Sequence, residues 1–203
     1  MSEEAKHPVL PGKLVLYFDG ACAPRNPGGL TTYGFRLMTY DEPSVHIGYG
    51  CGVAAKAGAP LATANTGEYI GLGTGLRYLA DRGWKGQLLI RGDSMLGTKQ
   101  LTKDWNCNKP HLQKCLARCH ELLQKLGGLW HVEWIPRDHN RYCDALCRRA
   151  WEREAGEKFH EVCYPTKAEK KAKKAAEAVR VLPPQLPAGE APKISVGGVE
   201  LKC

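Results

Sequence analysis

Four carboxylates in this 203-residue chain stand where secondary-structure elements begin or end. Asp19 and Asp93 each close an apolar run, Glu68 lies in the first turn of a helical stripe, and Asp144 lies near the start of the last such stripe. In an open α/β sheet, strand ends and the starts of the following helices share one edge, where ligands usually bind. Acids gathered there repel one another unless cations neutralise them, and a donor set made only of oxygen selects Mg²⁺ or Mn²⁺. Two such ions about 4 Å apart activate a water and stabilise the leaving oxygen of a phosphodiester. Taken singly, each acid is better explained as a helix cap, a turn residue or a solvated charge. Only their combination points to chemistry.

The elements that must bring them together are legible from periodicity. Lys13–Phe18 is a short apolar run rich in strand formers, stopped by Asp19-Gly20. Thr31–Met38 and Ser44–Val53 follow, separated by Asp41-Glu-Pro43, so the three runs predict an antiparallel meander. Tyr69, Leu72, Leu76 and Leu79 form one apolar stripe on a helix from Thr66 to about Arg82, which its glycines weaken. Gln87–Ile90 and Trp130–Pro136 predict two further strands, with a helix marked by Leu112, Leu116, Cys119, Leu123 and Leu126 between them. A last helix is expected from about Asn140 to Glu154, with Leu146 and Ala150 facing inward. The order β-β-β-α-β-α-α-β-α implies a mixed five-stranded α/β sheet whose second half is parallel, flanked by helices.

The wording around the acids is specific. Asp19-Gly-Ala-Cys with Asn26-Pro-Gly-Gly, Thr63-Ala-Asn-Thr-Gly-Glu68, Gly92-Asp-Ser-Met-Leu96, and Trp134–Asn140 with Cys143-Asp-Ala-Leu146 closely resemble, in order, the four motifs of the type 1 ribonuclease H family. The match runs from about Leu14 to Trp151. The resemblance implies the ribonuclease H fold, with Asp19, Glu68, Asp93 and Asp144 as catalytic acids holding two Mg²⁺ ions, Mn²⁺ being a possible substitute. It also implies endonucleolytic hydrolysis of the RNA strand of an RNA/DNA hybrid duplex. Asn26, Pro27 and Gly28 form a tight loop suited to minor-groove contacts with RNA 2′-hydroxyls. Thr63 and Asn65 match positions that touch the hybrid, and Arg137 and Asn140 are further expected substrate contacts.

The chain departs from the family at several points. Ala64 replaces a common asparagine, Leu61 stands where an arginine often holds a DNA phosphate, and the loop before the fourth acid is short, as in archaeal-type members. His139 in that loop either takes the place of the family's proton-handling histidine or caps the following helix with Asn140, the cap being the favoured reading. Thr98–Leu112 is too short for the extra basic helix of some members, which leaves Lys99, Lys103, Trp105 and Lys109 to meet the DNA strand or to form a solvated face. The alternative is a non-catalytic hybrid- or RNA-binding module on the same fold; a binding module has no need to cluster like charges.

Twenty-nine Lys and Arg against 21 Asp and Glu favour a polyanionic partner. Residues 166–203 hold eight basic and four acidic residues in an Ala/Lys run followed by a proline-rich stretch, and cannot build a core. The expected organisation is an extension over 1–12, a catalytic domain over 13–165, and a flexible tail over 166–203 that adds nucleic-acid or protein contacts. No run of about 18 apolar residues and no export signal is evident, so a monomer is expected in the cytoplasm, away from membranes, with its nine cysteines reduced. The pairs Cys115/Cys119 and Cys143/Cys147 are read as packing residues, not zinc ligands. Gly71-Leu-Gly-Thr-Gly75 lies inside a helical stripe and is not read as a dinucleotide loop.

Overall fold

The computed structural model describes residues 10–164, 166–168 and 170–171. The chain divides into two units, Met1–Tyr164 and Pro165–Cys203, and every element named below belongs to the first. The expected tail helix and the proline-rich stretch fall mostly outside the described residues.

The first unit is built on strands β1 (Lys13–Ala23), β2 (Leu30–Thr39), β3 (His46–Ala55), β4 (Gln87–Gly92) and β5 (Trp130–Trp134). They form one mixed sheet in the order β3-β2-β1-β4-β5. The β1–β2 and β2–β3 pairs are antiparallel, and β1–β4 and β4–β5 are parallel. Helices α1 (Ala64–Ala80), α2 (Met95–Leu101), α3 (Pro110–Lys125), α4 (Arg141–Ala155) and α5 (Phe159–Cys163) complete the unit. The mixed sheet and the helix order follow the sequence expectation; α5, with five residues, is too short to show a period.

Alternation along β1 divides the core. Leu14, Leu16 and Phe18 join Leu72, Leu76 and Leu79 of α1 and Leu122 and Leu123 of α3 in the main cluster, whereas Val15 packs with Met38 and Leu89 on the other side. Full burial of each such side chain stabilises the fold by about 1.5–3 kcal/mol relative to exposure. Helix α4 covers β2 from the opposite face through Cys143, Leu146, Cys147 and Ala150, and Trp151 Nε1 donates to Ala23 O at 3.1 Å.

Three boundaries differ from expectation. β1 does not stop at Asp19-Gly20 but runs to Ala23, because its last residues stay paired with β2 from Asp19↔Gly34 to Ala23↔Leu30. The body also begins before Lys13, since Pro11 O accepts from Trp84 Nε1 at 2.7 Å and Gly12 O from Gln87 N at 2.9 Å. The third is at α4, where Asn140 occupies the N-cap without a side-chain cap bond, and His139 lies exposed in a single 3₁₀ turn, Arg137–His139. The capping role expected of His139 and Asn140 is therefore absent.

The glycines of α1 position it rather than merely weakening it. A Cβ on Gly67 would stand 2.5 Å from Thr32 O, one on Gly71 3.0 Å from Asp19 O, and one on Gly75 2.6 Å from Leu16 Cδ1. Spaced four apart, these three glycines put one bare stripe of the helix on β1 and β2, Gly67 and Gly71 against the backbone and Gly75 against the Leu16 and Phe35 side chains. Gly20 completes the approach from the strand side, its Cβ position lying within 2.1 Å of Glu68 N.

Candidate active site

β1 pairs with β4 only as far as Tyr17↔Arg91, while β1 continues along β2. The two parallel strands therefore part just before Asp19 and Asp93, opening a crevice at the carboxyl end of β4. Helix α1 reaches it through Glu68 and α4 through Asp144, so all four acids line one cleft of about 490 Å³, together with Ser94, Trp134 and Arg137.

The environment of each acid is distinct. Asp19 is 8% exposed and accepts from Gly20 N at 2.7 Å. Burial raises its pKa well above the ordinary carboxylate range, and the charges of Asp93, Glu68 and Asp144 push the same way against the Gly20 amide. Burial likewise pushes Glu68 up to about 7, with Asp93 adding to it and a hydrogen bond from Ser94 opposing. Glu68 Oε2 is buried with no hydrogen-bond partner. Asp93 Oδ1 accepts from Asn140 Nδ2 at 3.0 Å, and Trp134 Nε1 donates to Asp93 O at 3.0 Å. Asp144 is flanked by two guanidiniums, Arg137 Nη2 at 3.2 Å and Arg148 Nη2 at 2.6 Å.

The donor set is carboxylate oxygen alone, which suits a hard divalent cation, and the buried, partnerless Glu68 Oε2 is an unclaimed ligand atom. Asp19 and Glu68 carry a desolvation cost that a cation would offset. The residues thus fit such an ion, although among the described residues no three His, Cys, Asp or Glu side chains are gathered closely enough to enclose one.

The other expected site residues fall in three places. Asn26 Oδ1 accepts from Ala64 N at 3.2 Å and Gly28 N donates to Ala62 O at 2.7 Å, which staples the Asn26-Pro27-Gly28 loop to the segment holding Thr63 and Asn65. Gly28 has φ +96°, a conformation that favours glycine. Thr63 is spent locally: its Oγ1 caps α1 by accepting from Thr66 N at 3.2 Å. Trp105 is 48% exposed in the α2–α3 connection and does not line the cleft.

Asn140 is the correction. Expected as a substrate contact, it is 1% exposed, and its Nδ2 donates to Phe18 O at 2.8 Å as well as to Asp93. It braces the third acid against the first strand from beneath the cleft. Ser94, which lines the cleft, and Arg148, which pairs with Asp144 from the adjoining depression, are residues that sequence reasoning missed. Arg148 lies four residues after Asp144 on one helix face, a spacing that could have revealed it. Ser94 had a detectable signal too, since it directly precedes a helix and caps it through Gly97 N at 3.1 Å.

A family model described as reverse transcriptase-like matches residues 45–150. The chain is 36% identical over 141 residues to Ribonuclease HI of Halobacterium salinarum, which covers 68% of this chain and 64% of that protein. The crystal structure of RNase H1 from the same archaeon superposes with TM-score 0.59 at 33% identity, covering 70% of this chain and 99% of that one. The N-terminal RNase H domain of a bifunctional Mycobacterium tuberculosis protein gives 0.63 at 27% identity, with 72% and 98% covered. That match takes in 35% of the full mycobacterial protein. LC11-RNase H1, solved in complex with an RNA/DNA hybrid, gives 0.61 at 21% identity over 70% of this chain and 99% of that one, a likeness of fold. The chain thus spans less than two thirds of the length of these curated relatives.

Proposed function

The chain belongs to the type 1 ribonuclease H family, and from that premise we propose that it is an endoribonuclease hydrolysing the RNA strand of RNA/DNA hybrids at the four-acid cleft. The observation that carries this reading is the convergence of Asp19, Glu68, Asp93 and Asp144 on the crevice where β1 and β4 part. A fold without a cationic occupant gains nothing from holding the Glu68 carboxyl near pKa 7 with its Oε2 buried and without a partner.

Asp19, Glu68, Asp93 and Asp144 would hold the divalent cation, Mg²⁺ or Mn²⁺, and two ions suit four carboxylates. When bound, the metal supplies positive charge to the phosphodiester and acidifies the attacking water. Asn140 keeps Asp93 oriented from below, and the Gly20 amide does the same for Asp19. Arg137, with its side chain 73% exposed at the rim and anchored on Asp144, is placed to pair with a phosphate of the bound strand. The loop at Asn26–Gly28 and the neighbouring Asn65 adjoin Ala64, which lines the cleft, and suit the 2′-hydroxyls that distinguish RNA from DNA. Trp105, with Lys99, Lys103 and Lys109, lies on a separate surface suited to the DNA strand.

The reading rests on the LC11 relative only for the duplex itself, since that protein was solved with an RNA/DNA hybrid. End-labelled RNA/DNA, RNA/RNA and DNA/DNA duplexes incubated with and without Mg²⁺ test it. Metal-dependent cutting confined to the RNA strand of the hybrid is the expected result. Binding of the hybrid without cutting would instead support the binding-module alternative.

A further inference from the structure

Away from the acids, three aromatic rings gather on the exposed side of the sheet edge. His46 and Tyr49 of β3 lie with ring centroids 5.6 Å apart, and Tyr142 of α4 stands 5.9 Å from His46 and 6.2 Å from Tyr49, edge-on to the latter. Tyr49 is 48% and Tyr142 40% exposed. Arg36, the cross-strand partner of Tyr49, lays its guanidinium 4.3 Å from the Tyr142 ring centroid. Its Nε is buried with no hydrogen-bond partner, and it enters no ion pair among the described residues.

These features select among ligands. An open cage of rings attracts cations, but here a cation of the chain already occupies the Tyr142 face and would repel another. A nucleobase meets the rings with a neutral π face, and its attached phosphate offers acceptors to the Arg36 guanidinium, which no carboxylate of the described residues pairs. The neighbouring surface has the matching charge: between Pro136 and Arg149 stand four arginines and two aspartates. It is also continuous with the acidic cleft, because Arg137 and Asp144 line both the cleft and the adjoining depression formed with Arg141 and Arg148. The Arg141–Asp138 pair on this strip is exposed on both sides, so Arg141 exchanges readily for a phosphate, and Arg137 keeps 73% of its side chain in solvent while pairing with the less exposed Asp144.

We propose that Arg36, His46, Tyr49 and Tyr142 form a stacking platform for unpaired nucleotides that continue from the end of the duplex bound at the acidic cleft. The platform would favour hybrids with a single-stranded extension over blunt ones. This inference rests on the hybrid-nuclease reading for the duplex, but the platform is testable without it.

The full chain is titrated, in EDTA so that nothing is cut, against fluorescently labelled blunt hybrid, hybrids carrying a four-nucleotide overhang on each RNA or DNA end in turn, and a single-stranded octanucleotide. At least one overhang is expected to tighten binding by about fivefold or more, the lower end of the effect of one stacked base. Tyr49→Ala/Tyr142→Ala should abolish that advantage and weaken octanucleotide binding, with blunt-hybrid affinity and cleavage unchanged, whereas the corresponding Phe variants should retain it. If the double alanine variant does not fold, Tyr142→Ala alone is read in the same way. The platform is overturned if no overhang tightens binding, or if the advantage survives alanine substitution. Failure of wild type to cut blunt hybrid in Mg²⁺ would instead overturn the nuclease reading, and octanucleotide binding would still report on the platform.

Discussion

Glu68→Gln should make the metal-free protein more stable at neutral pH while abolishing its activity. The Glu68 carboxyl has its pKa raised from 4.5 to about 7, chiefly by burial. Below pH 4.5 it is protonated in both folded and unfolded chains. Between 4.5 and 7 the unfolded chain has released the proton and the folded one has not, so the folded state binds more protons and stability falls as pH rises. Above 7 the full cost stands, at most about 3 kcal/mol for a shift of this size. Gln keeps the shape and loses the charge. Urea unfolding in EDTA, followed by tryptophan fluorescence at pH 5, 6, 7 and 8, should show the wild type losing stability across this window. The variant should lose about 3 kcal/mol less, the remaining slope belonging to Asp19, whose pKa is raised in the same direction. Added Mg²⁺ should recover more stability in wild type than in the variant. Parallel pH curves for the two proteins would refute the claim that Glu68 is a buried, electrostatically costly ligand.

Gly67→Ala places a methyl group against the Thr32 carbonyl, and should cost about 1–3 kcal/mol by thermal unfolding while lowering turnover, since α1 must lift Glu68 away from Asp19. Asn140→Ala removes the donor shared by Phe18 O and Asp93; a loss of about 2–3 kcal/mol and a fall in kcat with little change in KM are expected, and an altered KM alone would return Asn140 to the substrate contacts. His139→Ala should leave the unfolding free energy, measured by urea denaturation, within about 0.5 kcal/mol of wild type, because the side chain caps nothing.

The acids were legible because each sits in a local wording that survives without tertiary knowledge: Asp19-Gly after an apolar run, Gly-Glu68 in a first helical turn, Asp93 after Ile90-Arg-Gly, Cys-Asp144 in the last helix. The element order was legible for the same reason, since periods of 2 and 3.6 are local. What escaped was decided by packing across the sheet. The Asp19-Gly20 pair reads as a strand end, but pairing with β2 carries the strand four residues past Asp19. Gly67, Gly71 and Gly75 read as helix-weakening residues until β1 and β2 are seen packed directly beneath them. Asn140 has the same letter whether it faces a duplex or is walled in beneath Asp93; only its 1% exposure distinguishes the two. The aromatic platform joins residues 36, 46, 49 and 142, which no sequence window connects.

The most direct test of the four-acid site is single-turnover cleavage of an RNA-labelled hybrid by Asp19→Asn at saturating Mg²⁺, with hybrid affinity measured in parallel. Loss of a carboxylate that holds the metal should slow cutting by at least about a thousandfold, several kcal/mol of barrier, while hybrid affinity is kept or improved because a negative charge has left the phosphate's path. Cleavage within about tenfold of wild type would contradict the assignment of the cleft as the catalytic centre.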